Sequence, residues 1–319
     1  MYKALVTGVG AIIGYGIIKS LRKSKYDVQI IGMDIYDDAI GRHWCDHFVQ
    51  AVPANAPHYP EYIRSLVDRY NIDLIIPGIE QDGFRLAKES AQFHDLNVKL
   101  ALNRHDLIDM AADKWLTFLE LEKHDFPAIP TYIEGEFTEL SAALKLPMLL
   151  KPRRSYASKG IQKIYSQTDF EYWKTKLEDN FMIQEIVGSD DEEFTVGAFG
   201  LGDGTISQQI TFQRKLSGEG ATSKAQIIQH FELEKQVEHL AQIFRPIGPT
   251  NFQYRKHNGQ FLLLEINPRI SSSTSLRSAF GYNEAEMCIE YFLEDKIPGQ
   301  RELKAGWAQR YIEDWVTLC

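Results

Sequence analysis

The chain has 319 residues, of which 44% are hydrophobic, and it carries a formal net charge of −9 with a pI of about 5.5. This length is enough for two or three lobes with cores of their own, and the acidic balance excludes a global basic surface for nucleic acid. No apolar run approaches the roughly 20 residues that span a bilayer, and the amino-terminal stretch lacks the pattern of a signal peptide. Three widely separated cysteines, Cys45, Cys288 and Cys319, are typical of free thiols in a reducing cytoplasm.

The first hundred residues alternate between strand and helix patterns. Apolar, β-branched runs predict three strands, at residues 3–9, 28–34 and 72–80. Amphipathic periodicity predicts three helices, at residues 12–24, 59–71 and 84–95. Strands that alternate with helices favour a parallel, doubly wound sheet, so we predict a Rossmann-like lobe over residues 1–106.

The rest of the chain is organised differently. The pattern predicts one helix over residues 106–125, followed by a strand, a loop and a strand over residues 146–165. It then predicts a helix over residues 169–180 and a strand over residues 181–187. From residue 192 onward the strands are antiparallel in character. Gly202–Asp203–Gly204 and Asn258–Gly259 are hairpin signals between them.

A glycine-rich turn follows the first predicted strand. Gly8, Gly10 and Gly14, with Asp34 at the end of the second strand, resemble a dinucleotide-binding fingerprint. Their spacing is G-x-G-x-x-x-G rather than G-x-G-x-x-G. We therefore favour a tight strand-to-helix turn that needs glycine for close packing, and a nicotinamide-dependent oxidoreductase stays an alternative.

Two segments in the middle of the chain carry groups that suit a nucleotide. Lys151 ends a strand, and the small, basic loop up to Gly160 could cover phosphates with backbone N–H groups while Lys151 supplies a charge. Residues 182–196 place an extended linker before an acidic turn, so that backbone groups could read an adenine edge and a carboxylate could hold a ribose. Taken alone, each segment is better explained as a solvated hairpin or turn.

The stretch LLLEINPRISSSTS places charged and amide groups in an apolar strand. Glu265 and Asn267 alternate, so they share one face, and with Gln253 on the preceding strand they offer three oxygen donors for Mg²⁺. A plain two-residue loop at Asn258–Gly259 would turn Gln253 to the other face, so the site requires a longer loop or an equivalent bulge. Arg269 could then neutralise a terminal phosphate, and a buried Glu–Arg pair is the alternative.

Together these segments resemble the ATP-grasp superfamily, and within it the ATP-binding halves of the carbamoyl-phosphate synthase large subunit. The resemblance covers nearly the whole chain. NFQYRKHNGQFLLLEINPR is similar to the family's metal and phosphate segment, KPRRSYASKGI to its phosphate-covering loop, and QEIVGSDDEEFTV to its adenine-reading linker. The resemblance implies a Rossmann-like domain at residues 1–106, a small lid subdomain at residues 107–188 and a large, metal-binding subdomain at residues 189–319.

The resemblance also implies an ADP-forming ligase that activates a carboxylate as an acylphosphate for attack by an amine or similar nucleophile. The implied ATP contacts are Lys114, Lys151, Ser155, Ser158, Gly160, Glu185, Ile186, Val187 and Glu193. Two Mg²⁺ ions, with Mn²⁺ as a substitute, would be held by Gln253, Glu265 and Asn267. Arg269 is expected to stabilise the transferring phosphoryl group, with Arg214 or Lys215 as a further contact.

The acceptor side of the site is less defined. Glu80 and Asp82 follow the third predicted strand at the edge where open parallel sheets bind ligands, so they are candidates for the amine substrate, with helix capping as the competing explanation. Ser272 stands where the family usually has a second arginine.

We expect a cytoplasmic protein, a homodimer as one arrangement, and neither nucleic acid nor membrane as partner. Two further hypotheses are a non-catalytic nucleotide-binding subunit and a synthase fragment that works with a partner chain.

Overall fold

The structure is a computed structural model that describes residues 1–155, 160–178 and 180–317. The predicted phosphate contact Ser158 and the thiol of Cys319 lie outside these residues. Within the described part, Cys45 and Cys288 are free thiols, and no helix is both long and apolar enough to cross a membrane.

The first sheet is parallel, as predicted. Its strands are β1 (Tyr2–Thr7), β2 (Val28–Asp34), β3 (His47–Gln50), β4 (Leu74–Ile76) and β5 (Lys99–Leu100), in the order β3-β2-β1-β4-β5. The helices are α1 (Ile12–Arg22), α2 (Tyr59–Tyr70) and α3 (Glu80–Lys88), with short 3-10 turns at Ile40–Trp44 and Ser90–Phe93. The third predicted strand is shorter than expected, because Glu80 already opens α3.

Helices cover both faces of this sheet because successive residues of β1 point to opposite sides. Val6 joins the core that contains Ile17 of α1, and Leu5 joins the core that contains Ile63 of α2. The arrangement is the doubly wound lobe that the sequence predicts.

The glycine turn after β1 is a packing turn. A Cβ on Gly14 would lie 2.1 Å from the carbonyl oxygen of Gly8, so α1 can approach the strand end only with glycine at this position. The carboxylate of Asp34 accepts hydrogen bonds from the N–H groups of Gly10 (2.8 Å) and Tyr36 (3.1 Å). Both carboxylate oxygens of Asp34 therefore already accept a hydrogen bond from the protein's own backbone.

Two helices, rather than the predicted single one, connect this lobe to the next. They are α4 (His105–Ala112) and α5 (Lys114–Lys123). Asp113 between them has an extended backbone (φ −111°, ψ 107°), and its carboxylate accepts a 3.0 Å hydrogen bond from the Trp115 N–H. The prediction of one helix over 106–125 is wrong because Asp113 caps a new helix.

The second sheet is small and antiparallel. It consists of β6 (Thr131–Tyr132), β7 (Met148–Pro152), β8 (Gln162–Ile164) and β9 (Phe181–Glu185), in the order β6-β9-β7-β8. One face packs against α6 (Phe137–Leu144) and α7 (Gln167–Leu177). The loop between β7 and β8 is the basic loop of the sequence.

The third sheet is larger and also antiparallel, in the order β14-β13-β10-β11-β12-β15. Its strands are β10 (Glu193–Leu201), β11 (Ile206–Leu216), β12 (Thr222–Ile228), β13 (Ile247–His257), β14 (Gln260–Asn267) and β15 (Trp307–Gln309). The helices are α8 (Phe231–Phe244), α9 (Thr274–Ala279) and α10 (Glu284–Cys288), followed by a π-helical turn at Ile289–Leu293. The side chains of α8 pack on one face. The other face shares a core with α1, so the third sheet and the first lobe are joined by buried apolar contact.

Candidate active site

The hairpin of β13 and β14 contains the bulge that the proposed metal site requires. Its tip is the two-residue loop Asn258–Gly259, in which both residues have positive φ (51° and 84°). Gln253 pairs with Glu265, but Tyr254 pairs with Leu263, so Leu264 is the extra residue of a bulge. The bulge returns Gln253 to the face of Glu265, and the register predicted from the sequence is confirmed.

The three predicted oxygen donors form one hydrogen-bonded cluster. The Gln253 amide donates to Oε1 of Glu265 (2.6 Å), and the Asn267 amide donates to the same oxygen (3.0 Å). Arg269 donates in turn to Oδ1 of Asn267 (3.1 Å). The described residues contain no group of three or more His, Cys, Asp or Glu side chains placed so that they could hold a metal ion. One carboxylate and two amides suit a hard cation that keeps further oxygen ligands from water or phosphate.

Positive charges surround Glu265. Burial alone would raise the pKa of its carboxyl, but the charge of Lys114, the hydrogen bond from Asn267 and the charges of Arg269 and Lys151 outweigh burial and hold the pKa below its ordinary value. Glu265 is therefore an anion at neutral pH, and it partly neutralises the positive charges of Lys114, Lys151 and Arg269 around it.

Lys151 is the most buried of these cations. It ends β7 with 6% of its surface exposed. Burial, and then the neighbouring charge of Lys114, lower its pKa to about 8, against the opposing effect of Glu265. Because burying an ammonium group is costly, Lys151 would gain from a phosphate beside it.

Lys114 reaches the base of the basic loop. Its ammonium donates to the carbonyl oxygen (2.9 Å) and the hydroxyl (3.4 Å) of Ser155. Asp113, which caps α5, also accepts from Arg153 (2.8 Å), so the start of the helix and the start of the loop are fixed to each other. Gly160, at the other end of the loop, is exposed and has a positive φ (79°).

Arg214 and Lys215 face opposite sides of β11. Arg214 is buried and donates to Oε1 of Glu193 (3.0 Å) and to Oε1 of Gln253 (2.7 Å). Lys215 points outward and pairs with Asp191 (2.6 Å). Of the two predicted contacts, only Arg214 is on the side of the cluster, because neighbouring strand residues alternate faces.

Glu193, the carboxylate predicted to hold the ribose, and residues 185–187, the linker predicted to read the adenine, lie beside this network. Glu193 is buried and also accepts from Arg255 (3.1 Å), so it stands between two guanidinium groups. The linker that leaves β9 is held at Gly188, whose N–H donates to Nδ1 of His257 (3.1 Å).

One cleft of about 940 Å³ connects most of these groups. Its walls include the predicted residues Lys114, Lys151, Ser155, Glu185, Ile186, Val187, Glu193, Arg214, Gln253, Glu265, Arg269 and Glu80, and the departure at Ser272. The volume lies in the range of small-molecule sites. Residues predicted separately, from segments far apart in the chain, thus surround a single space.

Glu80 and Asp82 have different surroundings. Glu80 forms an ion pair with Arg269 across the boundary between the first lobe and the third sheet. Asp82 is buried, accepts a 2.8 Å hydrogen bond from the Tyr59 hydroxyl, and has a pKa raised chiefly by burial. Asp82 does not line the cleft. The hydrogen bond from Tyr59, 23 residues earlier, holds Asp82 inside the lobe, and its contact with substrate stays a prediction.

Sequence reasoning missed a buried network beneath the cleft. Asn251 lies in the cleft wall, and its Oδ1 accepts hydrogen bonds from Thr195 (2.6 Å) and Arg277 (2.6 Å). Arg277 in turn pairs with Glu284 (2.8 Å), and both side chains are fully buried. Asn251 stands two positions before Gln253 on β13, and this alternation was the signal that could have found it.

Comparisons with known proteins agree with this architecture. A family model described as "ATP-grasp in the biosynthetic pathway with Ter operon" matches residues 178–315, and a model of the PylC-like N-terminal domain matches residues 5–101. Together these segments cover more than half of the chain. The predicted fold, a Rossmann-like lobe followed by an ATP-grasp unit, is confirmed.

Two curated relatives are similar at lower coverage. Formate-dependent phosphoribosylglycinamide formyltransferase of Bacillus subtilis is 27% identical over 55% of this chain and 44% of its own length. The C-terminal section of the carbamoyl phosphate synthase large chain of Aquifex aeolicus is 21% identical over 72% of this chain and 45% of its own length. The chain thus spans less than half the length of these relatives.

Solved structures share the fold over nearly the whole chain. N5-carboxyaminoimidazole synthetase of Staphylococcus aureus, solved with ADP, has a TM-score of 0.72 at 17% identity and covers 95% of this chain and 80% of that one. Biotin carboxylase of Campylobacter jejuni has a TM-score of 0.71 at 13% identity, and the match covers 91% of this chain and 70% of that one.

Proposed function

We propose, from the premise that the chain is an ATP-grasp protein with a PylC-like N-terminal domain, that it is an ADP-forming ligase. It would activate a carboxylate with ATP and join it to an amine or similar nucleophile. The observation that carries this proposal is the Glu265 cluster in a cleft lined by Lys114, Lys151, Arg214 and Arg269. Such a combination of oxygen donors and cations suits nucleoside triphosphate with a divalent ion.

ATP would lie along the cleft. The backbone of Glu185 to Val187, which lines its wall, would meet the adenine. Glu193 would hold the ribose while keeping its ion pairs to Arg214 and Arg255. The solved structure of the Staphylococcus aureus synthetase with ADP supports a nucleotide in this fold.

Mg²⁺ fits the Glu265 cluster in charge and donor type. We propose two ions, replaceable by Mn²⁺, which Gln253, Glu265 and Asn267 would hold. Bound Mg²⁺ would neutralise charge on the phosphate oxygens. The amides of Gln253 and Asn267 now donate to Glu265, and their oxygens accept from Arg214 and Arg269. These oxygens would have to leave the guanidinium groups to face the ion.

The chain's cations would stabilise the transfer. A carboxylate oxygen attacks the γ-phosphorus, the bond from that phosphorus to the bridging oxygen breaks, and ADP leaves with the electron pair. Lys114, Lys151 and Arg269 would neutralise charge on the moving phosphoryl group. The nucleophile's nitrogen then attacks the acyl carbon, loses a proton, and inorganic phosphate leaves. The protein contributes position and charge and forms no covalent bond.

Thermal shift with ATP, in the presence and absence of Mg²⁺, tests the binding half of the proposal. The wild type should gain more stability from ATP when Mg²⁺ is present, and Glu265→Gln should lose that gain. Glu232→Gln, a matched change at an exposed residue in the first turn of α8, should keep it. Absence of a Mg²⁺-dependent response in the wild type would refute the proposal.

Release of ADP separates a ligase from the competing functions. A screen of carboxylate and amine pairs should find a mixture that releases ADP, whereas a non-catalytic subunit would bind Mg²⁺–ATP and release none. A nicotinamide enzyme is disfavoured, because Asp34 is engaged by the N–H groups of Gly10 and Tyr36. Stabilisation by NAD(P) without any response to ATP would reverse that judgement.

A further inference from the structure

A second cavity, of about 440 Å³, lies beside the cleft. It is bounded by the end of β4, by α3 and α4, and by the segment that leaves β14. Its walls are largely apolar and include Pro77, Phe84, Leu102, Ile108 and Ile270. We call it the apolar pocket. Cavities of this size with apolar walls and a few polar groups are typical of small-molecule sites.

The apolar pocket and the cleft meet at the proposed reaction centre. Both are lined by Glu80, Lys114, Glu265 and Arg269. A molecule in the apolar pocket would therefore present one end to the residues that are proposed to handle the phosphoryl group.

The chemistry of the pocket changes along its length. The shared end carries the cations Lys114 and Arg269, which attract a carboxylate, beside the carboxylates of Glu265 and of Glu80, which pairs with Arg269. The walls that the cleft does not share are mostly hydrocarbon, with the charged side chains of Lys88, Asp109 and Arg154 among them. Phe84 on α3 leaves 37% of its surface exposed. Placing hydrocarbon against the apolar walls removes apolar surface from water, whereas hydroxyl groups placed against those same walls would lose hydrogen bonds to water.

We propose that the apolar pocket holds the hydrocarbon body of the carboxylic acid that is activated, with the carboxylate directed toward Arg269 and Lys114. The substrate class is thus an acid with an aliphatic or aromatic body, rather than a sugar acid. The assignment rests on the proposed ligase function, and it adds which carboxylates that function accepts.

Gly83 provides a way to fill the pocket without straining the fold. It lies inside α3 and in the pocket wall, and an added Cβ would meet only Pro77, at an ordinary 3.8 Å. Gly83→Leu should therefore fold, since leucine favours a helix more than glycine does, while its side chain occupies the pocket. Phe84→Asp is a second variant, which places a charge in the wall. Phe231→Asp is the control, because Phe231 is 74% exposed on another helix.

The experiment uses 4-phenylbutyrate as the apolar probe and gluconate as the polar one. Hydrogen–deuterium exchange of the full chain is measured with each acid, in the presence of Mg²⁺ and ADP. We expect 4-phenylbutyrate, but not gluconate, to slow exchange in segments 80–88 and 101–112 of the wild type and of Phe231→Asp. The effect should be lost in Gly83→Leu and Phe84→Asp, whose melting temperatures confirm folding.

Each outcome decides the question. No slowing by 4-phenylbutyrate in these segments of the wild type, or equal slowing in both pocket variants, would overturn the assignment, as would a preference for gluconate. The Mg²⁺–ATP thermal shift is read separately on the same wild-type sample. Its absence would overturn the ligase proposal, and the exchange data would still show whether the pocket binds hydrocarbon.

Discussion

The buried ammonium of Lys151 leads to a pH-dependent prediction. Its pKa is lowered from 10.5 to about 8, first by burial and then by Lys114. Only the protonated form of the Lys151 amine supplies a positive charge to a phosphate. With a pKa of about 8, about nine-tenths of this amine is protonated at pH 7 and about one-tenth at pH 9. We therefore expect ATP affinity to fall by about tenfold between pH 7 and pH 9.

The same lowered pKa affects the stability of the ATP-free protein with the opposite sign. Between about pH 8 and pH 10.5 the unfolded chain binds more protons at Lys151 than the folded chain does, so this residue's contribution to stability rises with pH. The two pKa values differ by about 2.5, and each pKa unit is worth about 1.4 kcal/mol, so the difference corresponds to about 3–4 kcal/mol. Below about pH 8 the cost of burying the charge is present in full.

Titration calorimetry with a non-hydrolysable ATP analogue and Mg²⁺, at pH 7, 8 and 9, checks this prediction. Lys151→Arg keeps its charge across this range, so its affinity should change little with pH. Lys235→Arg, a matched change at an exposed residue, should show the wild-type fall. An equally steep fall in Lys151→Arg, or no fall in the wild type, would refute the reasoning.

The remaining predictions concern buried pairs and the helix cap. Arg277→Met leaves the carboxylate of Glu284 buried without its partner and should cost about 3–5 kcal/mol of unfolding free energy in urea. The double variant with Glu284→Leu should recover most of it, and no recovery would contradict the charge argument. Asp113→Ala removes the cap of α5, so it should lower the unfolding free energy by about 1 kcal/mol and weaken ATP binding. Arg214→Met should reduce the Mg²⁺–ATP thermal shift and Lys215→Met should not; equal effects would refute the assignment of faces.

The sequence by itself determined the local features of this protein. Alternating strands and helices predict the parallel sheet of the first lobe, and that sheet is present. The positions of Glu265 and Asn267 predict a shared face, and both amides and the carboxylate meet there. These predictions succeed because periodicity acts over a few residues and depends only on the geometry of the strand or helix.

Some signals were present and were not used. In α8 the buried residues Leu233, Val237, Leu240 and Phe244 recur at helical spacing, although no helix was predicted there. Asp113 sits inside an otherwise helical run, and only its extended backbone shows that the run is two helices. An aspartate in such a run is compatible with an exposed helical position or with a cap, and its neighbours in space decide between them.

Only the tertiary structure decided which of these groups meet. The ion pair of Arg269 with Glu80 joins residues 189 positions apart, and the hydrogen bond from Tyr59 holds Asp82 inside the first lobe. The order of the strands, with β10 between β13 and β11, brings Arg214 beside Gln253. Such contacts depend on how separate elements pack, and no local preference encodes that packing.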